Sequence, residues 1–158
     1  LVLPEEAGVY AFWWIGNKSE LLNSDRNLIL SGPNKKPINI ILDDWWPEDL
    51  SYPCLYVGKS TNIKNRFSSH IRNGSKQRLH TIEMDGAKIK PITTACQLRY
   101  GIEHIFRKNN NPLEIIFENV GFSYKTIFNG NNQVIERFYE EDLLIGKWRP
   151  WFNLDSER

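Results

Sequence analysis

Two short runs of β-branched and aromatic residues, each closed by a glycine, restrict most strongly what this chain can form. The first run covers residues 9–15 (VYAFWWI) and ends at Gly16, and the second covers residues 55–57 (LYV) and ends at Gly58. Runs of this composition and length are typical of buried strands. We therefore expect a sheet that contains both segments at the centre of the fold.

Helical and strand patterns alternate along the rest of the chain. The predicted elements are a hairpin with strands at 27–30 and 38–42, helices at 62–72, 94–107 and 134–147, and strands at 113–120 and 122–128. Thr94 and Gln97 have the spacing of a capping box, and Asn131 or Asn132 can cap the last helix. Residues 74–93 are expected to be a loop or irregular insertion. The pattern predicts an α+β (α/β sandwich-like) domain, a small mixed sheet with helices packed on it.

Composition is that of an ordinary globular domain. The 158 residues are 41% hydrophobic and 25% charged, which suits one domain and excludes a disordered chain. No apolar run has the length of a membrane helix, and the first residues lack the basic segment of a signal peptide. Two cysteines, Cys54 and Cys96, fit neither a disulfide framework nor a zinc pattern. We expect a cytoplasmic protein with no membrane partner.

The charge distribution is more informative than the net charge of +1, which by itself argues weakly against nucleic-acid binding. Between Asp49 and Glu83 there is no acidic residue. The basic residues of that stretch are Lys59, Lys64, Arg66, Arg72, Lys76 and Arg78, with His70 and His80. Two interpretations stay open: a solvated basic face, or a phosphate-binding surface near the acidic residues of 136–142.

Arg66 and His70 lie four residues apart on the predicted helix 62–72 and therefore share one face. Lys59 precedes that helix. A guanidinium, an imidazole and an ammonium near a helix N-terminus suit a phosphate group. The alternative is an exposed polar face that includes an ordinary histidine.

Glu141 lies on the apolar stripe of the last predicted helix, which we assign to Val134, Phe138 and Ile145. A carboxylate on such a stripe is unfavourable unless it is paired or bound to a metal. It is either half-buried in a salt bridge with Arg66 or a lysine, or it binds Mg²⁺ together with a substrate phosphate. Tyr10 and Tyr56 can face the same side of adjacent strands, where most tyrosines only pack.

Taken together, these residues resemble the GIY-YIG nuclease family. The matching elements are the triplets Gly8-Val9-Tyr10 and Tyr56-Val57-Gly58, Lys59 after the second triplet, Arg66 ten residues after Tyr56, and Glu141 twelve residues before Asn153. Within the family, His70 four residues after Arg66 is most similar to the type II restriction endonuclease branch. Long connections between these motifs imply a decorated core.

The resemblance implies a single GIY-YIG domain over residues 1–158, with element order β-β-α-α-β-α and insertions at about 17–52 and 74–93. It also implies metal-dependent hydrolysis of DNA phosphodiester bonds that leaves 5′-phosphate and 3′-hydroxyl ends. Glu141 would hold one Mg²⁺, with Mn²⁺ as a substitute.

The other catalytic residues follow from the same resemblance. Arg66 and His70 would hold the phosphate. Tyr10 would orient or deprotonate the attacking water, with Tyr56 beside it and Lys59 as the cation that lowers the tyrosine pKa. Asn153 would bind near the phosphate or fix the end of the last helix.

Specific cleavage also needs contacts to the bases, for which the insertions are the candidates. The predicted DNA-binding residues are Lys64, Arg72, Lys76, Gln77 and Arg78. The expected partners are double-stranded DNA, a second copy in a homodimer (with residues 45–47 a candidate interface), and a cognate methyltransferase. Three alternatives stay open: a non-specific or repair-type nuclease, a catalytically silent DNA-binding module of the same fold, and a small-molecule-binding domain.

Overall fold

The computed structural model of the protein describes residues 2–31, 37–72, 97–109, 111–128, 130 and 132–153. Five strands and five helices lie in these ranges. In chain order they are β1 (Gly8–Trp14), α1 (Lys18–Leu22), β2 (Asn27–Ser31), β3 (Pro37–Ile41), β4 (Cys54–Ser60), α2 (Ile63–Arg72), α3 (Gln97–Ile105), α4 (Pro112–Asn119), β5 (Val120–Thr126) and α5 (Gln133–Trp148).

The central sheet has three antiparallel strands in the order β4-β1-β5. Tyr10 of β1 lies opposite Gly58 of β4, and Phe12 lies opposite Tyr56. Since side chains alternate along a strand, these residues share one face of the sheet. Helices α2 and α3 pack on that side, and α5 packs against β4 and β1. We call the first the aromatic face and the second the α5 face.

The insertion between β1 and β4 joins the same core. Its strands β2 and β3 form a separate antiparallel hairpin sheet. Leu21, Leu28 and Leu42 of this region are buried in one cluster with Phe12 and Trp14 of the central sheet. The hairpin is therefore part of the packed domain rather than an appendage to it.

A short segment after α5 covers the outer edge of β4. The backbone N–H groups of Trp151 and Phe152 donate to the carbonyls of Cys54 and Leu55. Asn153 continues this pairing with its side chain. An unpaired strand edge is thereby avoided on this side of the sheet.

The predicted α+β class is confirmed, and the bounds of β1, β2, β3, α2 and α5 agree with the sequence pattern to within about two residues. β4 is longer than predicted, because it continues through Gly58 to Ser60. The short helix α1 was not predicted.

The predicted strand at 113–120 is wrong, because most of this segment forms helix α4. The side chain of Asn111 accepts a hydrogen bond from the backbone N–H of Glu114, and Pro112 occupies the first turn. An asparagine cap followed by proline starts a helix well. The β-branched residues Ile115 and Ile116 are typical of strands, so the local pattern does not by itself reveal this helix.

Some predictions lie outside the described residues. These are the insertion 74–93, the capping residue Thr94, and Asn131. In the part of the chain that the structure describes, no helix has both the length and the apolar character needed to cross a membrane.

Candidate active site

Two tyrosines and a histidine form a buried cluster on the aromatic face. The hydroxyl of Tyr10 lies 2.8 Å from Nε2 of His70. The Tyr56 ring lies 4.7 Å from the His70 ring and 6.1 Å from the Tyr10 ring, measured between centroids. Phe12 and Phe122 close the cluster. The structure thus brings together three of the predicted catalytic residues.

Gly58 makes this cluster possible. A Cβ atom at position 58 would lie 2.4 Å from the Tyr10 hydroxyl oxygen and 2.8 Å from a ring carbon of Tyr56. The space that a side chain would need is occupied by the two tyrosines. A glycine opposite Tyr10 is therefore required for the two rings to meet.

Burial sets the protonation state of Tyr10. Loss of hydration raises the pKa of Tyr10 well above its ordinary value of 10, and the neighbouring Tyr56 raises it further. The Arg66 guanidinium lowers this pKa, whereas the Glu141 carboxylate raises it. Tyr10 is thus a neutral phenol near pH 7, and both charged residues act on it.

His70 is wholly buried, which overturns the alternative of an ordinary histidine on an exposed polar face. Burial lowers the pKa of His70 from 6.5 to about 3, and the nearby Arg66 guanidinium lowers it in the same direction. The imidazole is therefore neutral near pH 7. Its other nitrogen, Nδ1, is buried without a hydrogen-bond partner in the described part of the chain.

Lys59 and Glu141 form an ion pair on the α5 face. The Lys59 ammonium also lies 4.1 Å from the centre of the Phe138 ring. Arg66 is the cation that lowers the pKa of Tyr10, and the expected effect of Lys59 on a tyrosine stays a prediction. Of the alternatives stated for Glu141, a salt bridge with a lysine is present in the structure.

Helix α5 is rotated about its axis relative to the orientation predicted from its apolar stripe. Val134 and Phe138 are about half exposed, so their assignment to the buried side is wrong. Trp148 packs against Trp13 at 4.6 Å between ring centres, and this contact fixes the helix rotation. The side facing the sheet consists of Arg137, Glu141, Leu144, Ile145 and Trp148.

Asn153 holds β4 rather than a ligand. Its side-chain oxygen accepts from the backbone N–H of Val57 at 2.8 Å, and its amide nitrogen donates to the Val57 carbonyl at 2.7 Å. Asn153 is buried, and both ends of its amide are used. It is therefore a positioning residue for the strand that bears Tyr56 and Lys59.

Among the predicted site residues, Glu141 is the one that would hold a metal. No group of three or more His, Cys, Asp or Glu residues is found within the described ranges. A carboxylate is nevertheless the ligand type that Mg²⁺ prefers, and Mg²⁺ is often held by one or two carboxylates together with substrate phosphate. The donor set fits Mg²⁺ bound jointly with a phosphodiester, with Lys59 displaced from at least one oxygen.

Of the five predicted DNA-binding residues, Lys64 is the one whose side chain the structure describes. Lys64 is exposed and pairs with Glu5 at 2.7 Å. Arg72 ends α2, and its side chain is among those not described. Lys76, Gln77 and Arg78 lie outside the described residues. Of the proposed interface residues, Trp45 is half exposed and Trp46 stacks on Trp151.

The sequence analysis missed Arg137. This residue lies four positions before Glu141 on the same side of α5, and it is 9% exposed. The spacing that drew attention to Glu141 would also have found Arg137, because residues four apart share a helix face.

Comparison with models of protein families, with curated proteins and with solved structures found no match for this chain.

Proposed function

We propose that this chain is a Mg²⁺-dependent DNA endonuclease of the GIY-YIG type. It would hydrolyse phosphodiester bonds of double-stranded DNA at a specific sequence, as type II restriction enzymes do. The observation that supports this best is the pairing of Tyr10 with Gly58. That register places two tyrosines and a buried histidine together, within the electrostatic influence of Arg66 and Glu141.

Tyr10 and His70 are suited to move one proton as a pair. The Tyr10 hydroxyl can accept a proton from the attacking water while it donates its own to Nε2 of His70, so a free phenolate is not required. The water oxygen forms a bond to phosphorus, the bond from phosphorus to the 3′ oxygen breaks, and the 3′ oxygen takes up a proton from solvent. The products are a 5′-phosphate and a 3′-hydroxyl.

The pKa of His70 determines how much free energy is needed to protonate the imidazole in this transfer. A pKa of about 3 makes the imidazolium about 5 kcal/mol unfavourable at pH 7. Negative charge that develops on the phosphate during attack stabilises the imidazolium and offsets part of that cost. The Arg66 guanidinium disfavours a second positive charge on His70 but attracts the phosphate. Its charge would therefore help the reaction only when substrate is bound.

Glu141 would hold the metal, which neutralises charge on the phosphate and on the leaving oxygen. Lys59 then becomes free to contact a phosphate oxygen. In the absence of substrate, the Lys59 ammonium keeps the partly buried Glu141 carboxylate neutralised.

The test is a digest of long, unmethylated DNA with Mg²⁺ and with EDTA. We expect discrete fragments with Mg²⁺ alone. Glu141→Gln should lower the cleavage rate by more than about a hundredfold while DNA binding persists, because the metal ligand is lost. The matched control is Glu140→Gln: that carboxylate pairs with exposed Lys125, and such pairs contribute little. Glu140→Gln should cleave like the unaltered protein.

Each other outcome changes the proposal in a defined way. A smear or nicked circles would replace sequence-specific cleavage with a non-specific or repair-type activity. Cleavage that survives Glu141→Gln would exclude Glu141 as the metal ligand. Duplex binding without cleavage in Mg²⁺ or Mn²⁺ would establish a second candidate, a silent DNA-binding module. The existing Lys59–Glu141 pair favours that candidate, since it neutralises the carboxylate without a metal.

A further inference from the structure

Arg137 is a largely buried cation that pairs with no acidic residue in the part of the chain that the structure describes. It is 9% exposed, and its Nε is enclosed with no hydrogen-bond partner. Within the described ranges its guanidinium makes no hydrogen bond and no ion pair with any residue. An arginine can donate five hydrogen bonds, and burial of an unpaired charge is costly. Since no described residue supplies a partner, the side chain is available to an anion from outside.

Arg137 belongs to the second turn of α5, one turn from the N-terminus of that helix. The helix has 16 residues, and its N-cap, Asn132, makes no side-chain cap hydrogen bond. The first backbone N–H groups of a helix have no partner within it, and the helix dipole favours negative charge there. Side chains on a helix tend to lean towards its N-terminus, and Arg137 stands one turn after the first backbone N–H groups of α5.

The carboxylates of α5 nearest to Arg137 have other contacts. Glu141 pairs with Lys59, and Glu140 pairs with Lys125 at 3.1 Å. Glu136, in the first turn, lies with Lys125 and Tyr139 along the cavity next to β5. None of these acids is bonded to Arg137, and the arrangement leaves the guanidinium available to an external anion.

From this geometry we infer that Arg137 and the uncapped N-terminus of α5 bind a second backbone phosphate of the DNA, on the same strand as the phosphate at Glu141. This inference rests on the proposed nuclease function. One helical turn separates Arg137 from Glu141, about 6 Å along the axis. A DNA strand rises about 3.4 Å per nucleotide, so this turn spans one to two nucleotides of the bound strand. Contact at a flanking phosphate would fix the register of the strand relative to Glu141.

The test measures binding of a fluorescently labelled DNA duplex in EDTA, where no cleavage occurs, over a range of NaCl concentrations. Arg137→Met replaces the guanidinium with an apolar side chain of similar length. The matched control is Lys147→Met, which removes one positive charge from the exposed last turn of the same helix. Thermal unfolding of all three proteins, with and without inorganic phosphate, is recorded in parallel.

Arg137→Met should bind the duplex about tenfold more weakly than the unaltered protein. The slope of log affinity against log salt should fall by about 0.9, as expected for one lost phosphate contact. Its melting temperature should not decrease, because no partner among the described residues is lost, and inorganic phosphate should raise it less than in the unaltered protein. Lys147→Met should keep nearly the full affinity.

Equal affinities and salt slopes for Arg137→Met and Lys147→Met would overturn this second phosphate site and leave the nuclease proposal intact. A lower melting temperature for Arg137→Met, with no loss of phosphate response, would show a structural role and overturn it as well. Failure of the unaltered protein to bind duplex at any salt concentration would instead refute the nuclease function and, with it, this site.

Discussion

Two side-chain clusters on opposite faces of the central sheet treat charge in opposite ways. On the aromatic face, Tyr10, Phe12, Tyr56 and His70 fill a buried space, and burial keeps both titratable groups of the Tyr10–His70 pair neutral. On the α5 face, small apolar residues such as Ala11 and Val57 lie under Ile145, and further along α5 charged side chains reach the sheet. The Tyr10–His70 cluster excludes charge, whereas the site of Lys59 and Glu141 on the opposite face retains it.

This difference suits a site for an anionic substrate. Groups that relay a proton work best when they are neutral and held in place, whereas groups that bind phosphate must remain charged. Gly58 lies at the junction, because the missing side chain lets the Tyr10 hydroxyl lie close to β4. The pKa of Tyr10 responds to Arg66 and to Glu141, so the two faces are electrostatically coupled through this residue.

The largest effect expected from this comparison is the pH dependence that His70 gives to the free energy of unfolding. Its pKa is about 3 in the folded protein and near 6.5 in the unfolded chain, so below pH 6.5 the unfolded chain binds a proton that the folded protein does not. The contribution of His70 to the free energy of unfolding is fully present above about pH 6.5. It falls as the pH drops towards 3, by up to about 1.4 kcal/mol per pH unit.

Urea unfolding between pH 3.5 and 7 measures this effect. His70→Gln keeps a polar partner for Tyr10 but does not titrate, so its stability should depend on pH less steeply by that amount. Identical pH profiles for the two proteins would show that His70 is not held neutral, and the contrast between the faces would then be wrong.

A second effect concerns the strand that joins the two faces. Asn153→Ala leaves the buried N–H and carbonyl of Val57 without partners, and we expect a loss of about 3 kcal/mol in the free energy of unfolding. The comparison variant is Asn62→Ala, whose side chain accepts from the exposed N–H of Asn65 at the start of α2 and should cost about 1 kcal/mol. Denaturant unfolding gives both values. Equal costs would mean that Asn153 does not hold β4.

Much of this architecture could be predicted from local sequence. The β-branched and aromatic runs identified β1 and β4, and strand alternation then placed Tyr10 and Tyr56 on one face. The four-residue spacing of Ile63 and Phe67 identified α2 and its inward side. These features depend on residues close together in the chain, so pattern and structure agree.

The remaining features depend on distant contacts. His70 is polar and lies four residues after Arg66, so only the packing of Phe12 and Tyr56 against it explains its burial. The rotation of α5 is set by Trp148 on Trp13, which no local pattern reveals.

The smallest effects compare two glycines, one at the junction of the faces and one on the exposed side of α5. Gly58→Ala would force a Cβ within 2.5 Å of the Tyr10 ring carbon Cζ, and Tyr10 is held by His70. We expect a loss of about 1–3 kcal/mol in unfolding free energy, as for overpacked cores, and loss of cleavage because the Tyr10–His70 contact is displaced.

Gly146 has no atom within 4 Å of such a Cβ, and Gly146→Ala should stabilise the helix by about 0.5–1 kcal/mol without changing cleavage. The two substitutions add the same methyl group, so opposite signs would trace the cost to the space between Tyr10 and Tyr56. If Gly58→Ala were tolerated in stability and cleavage, the tyrosine pair would not require the glycine.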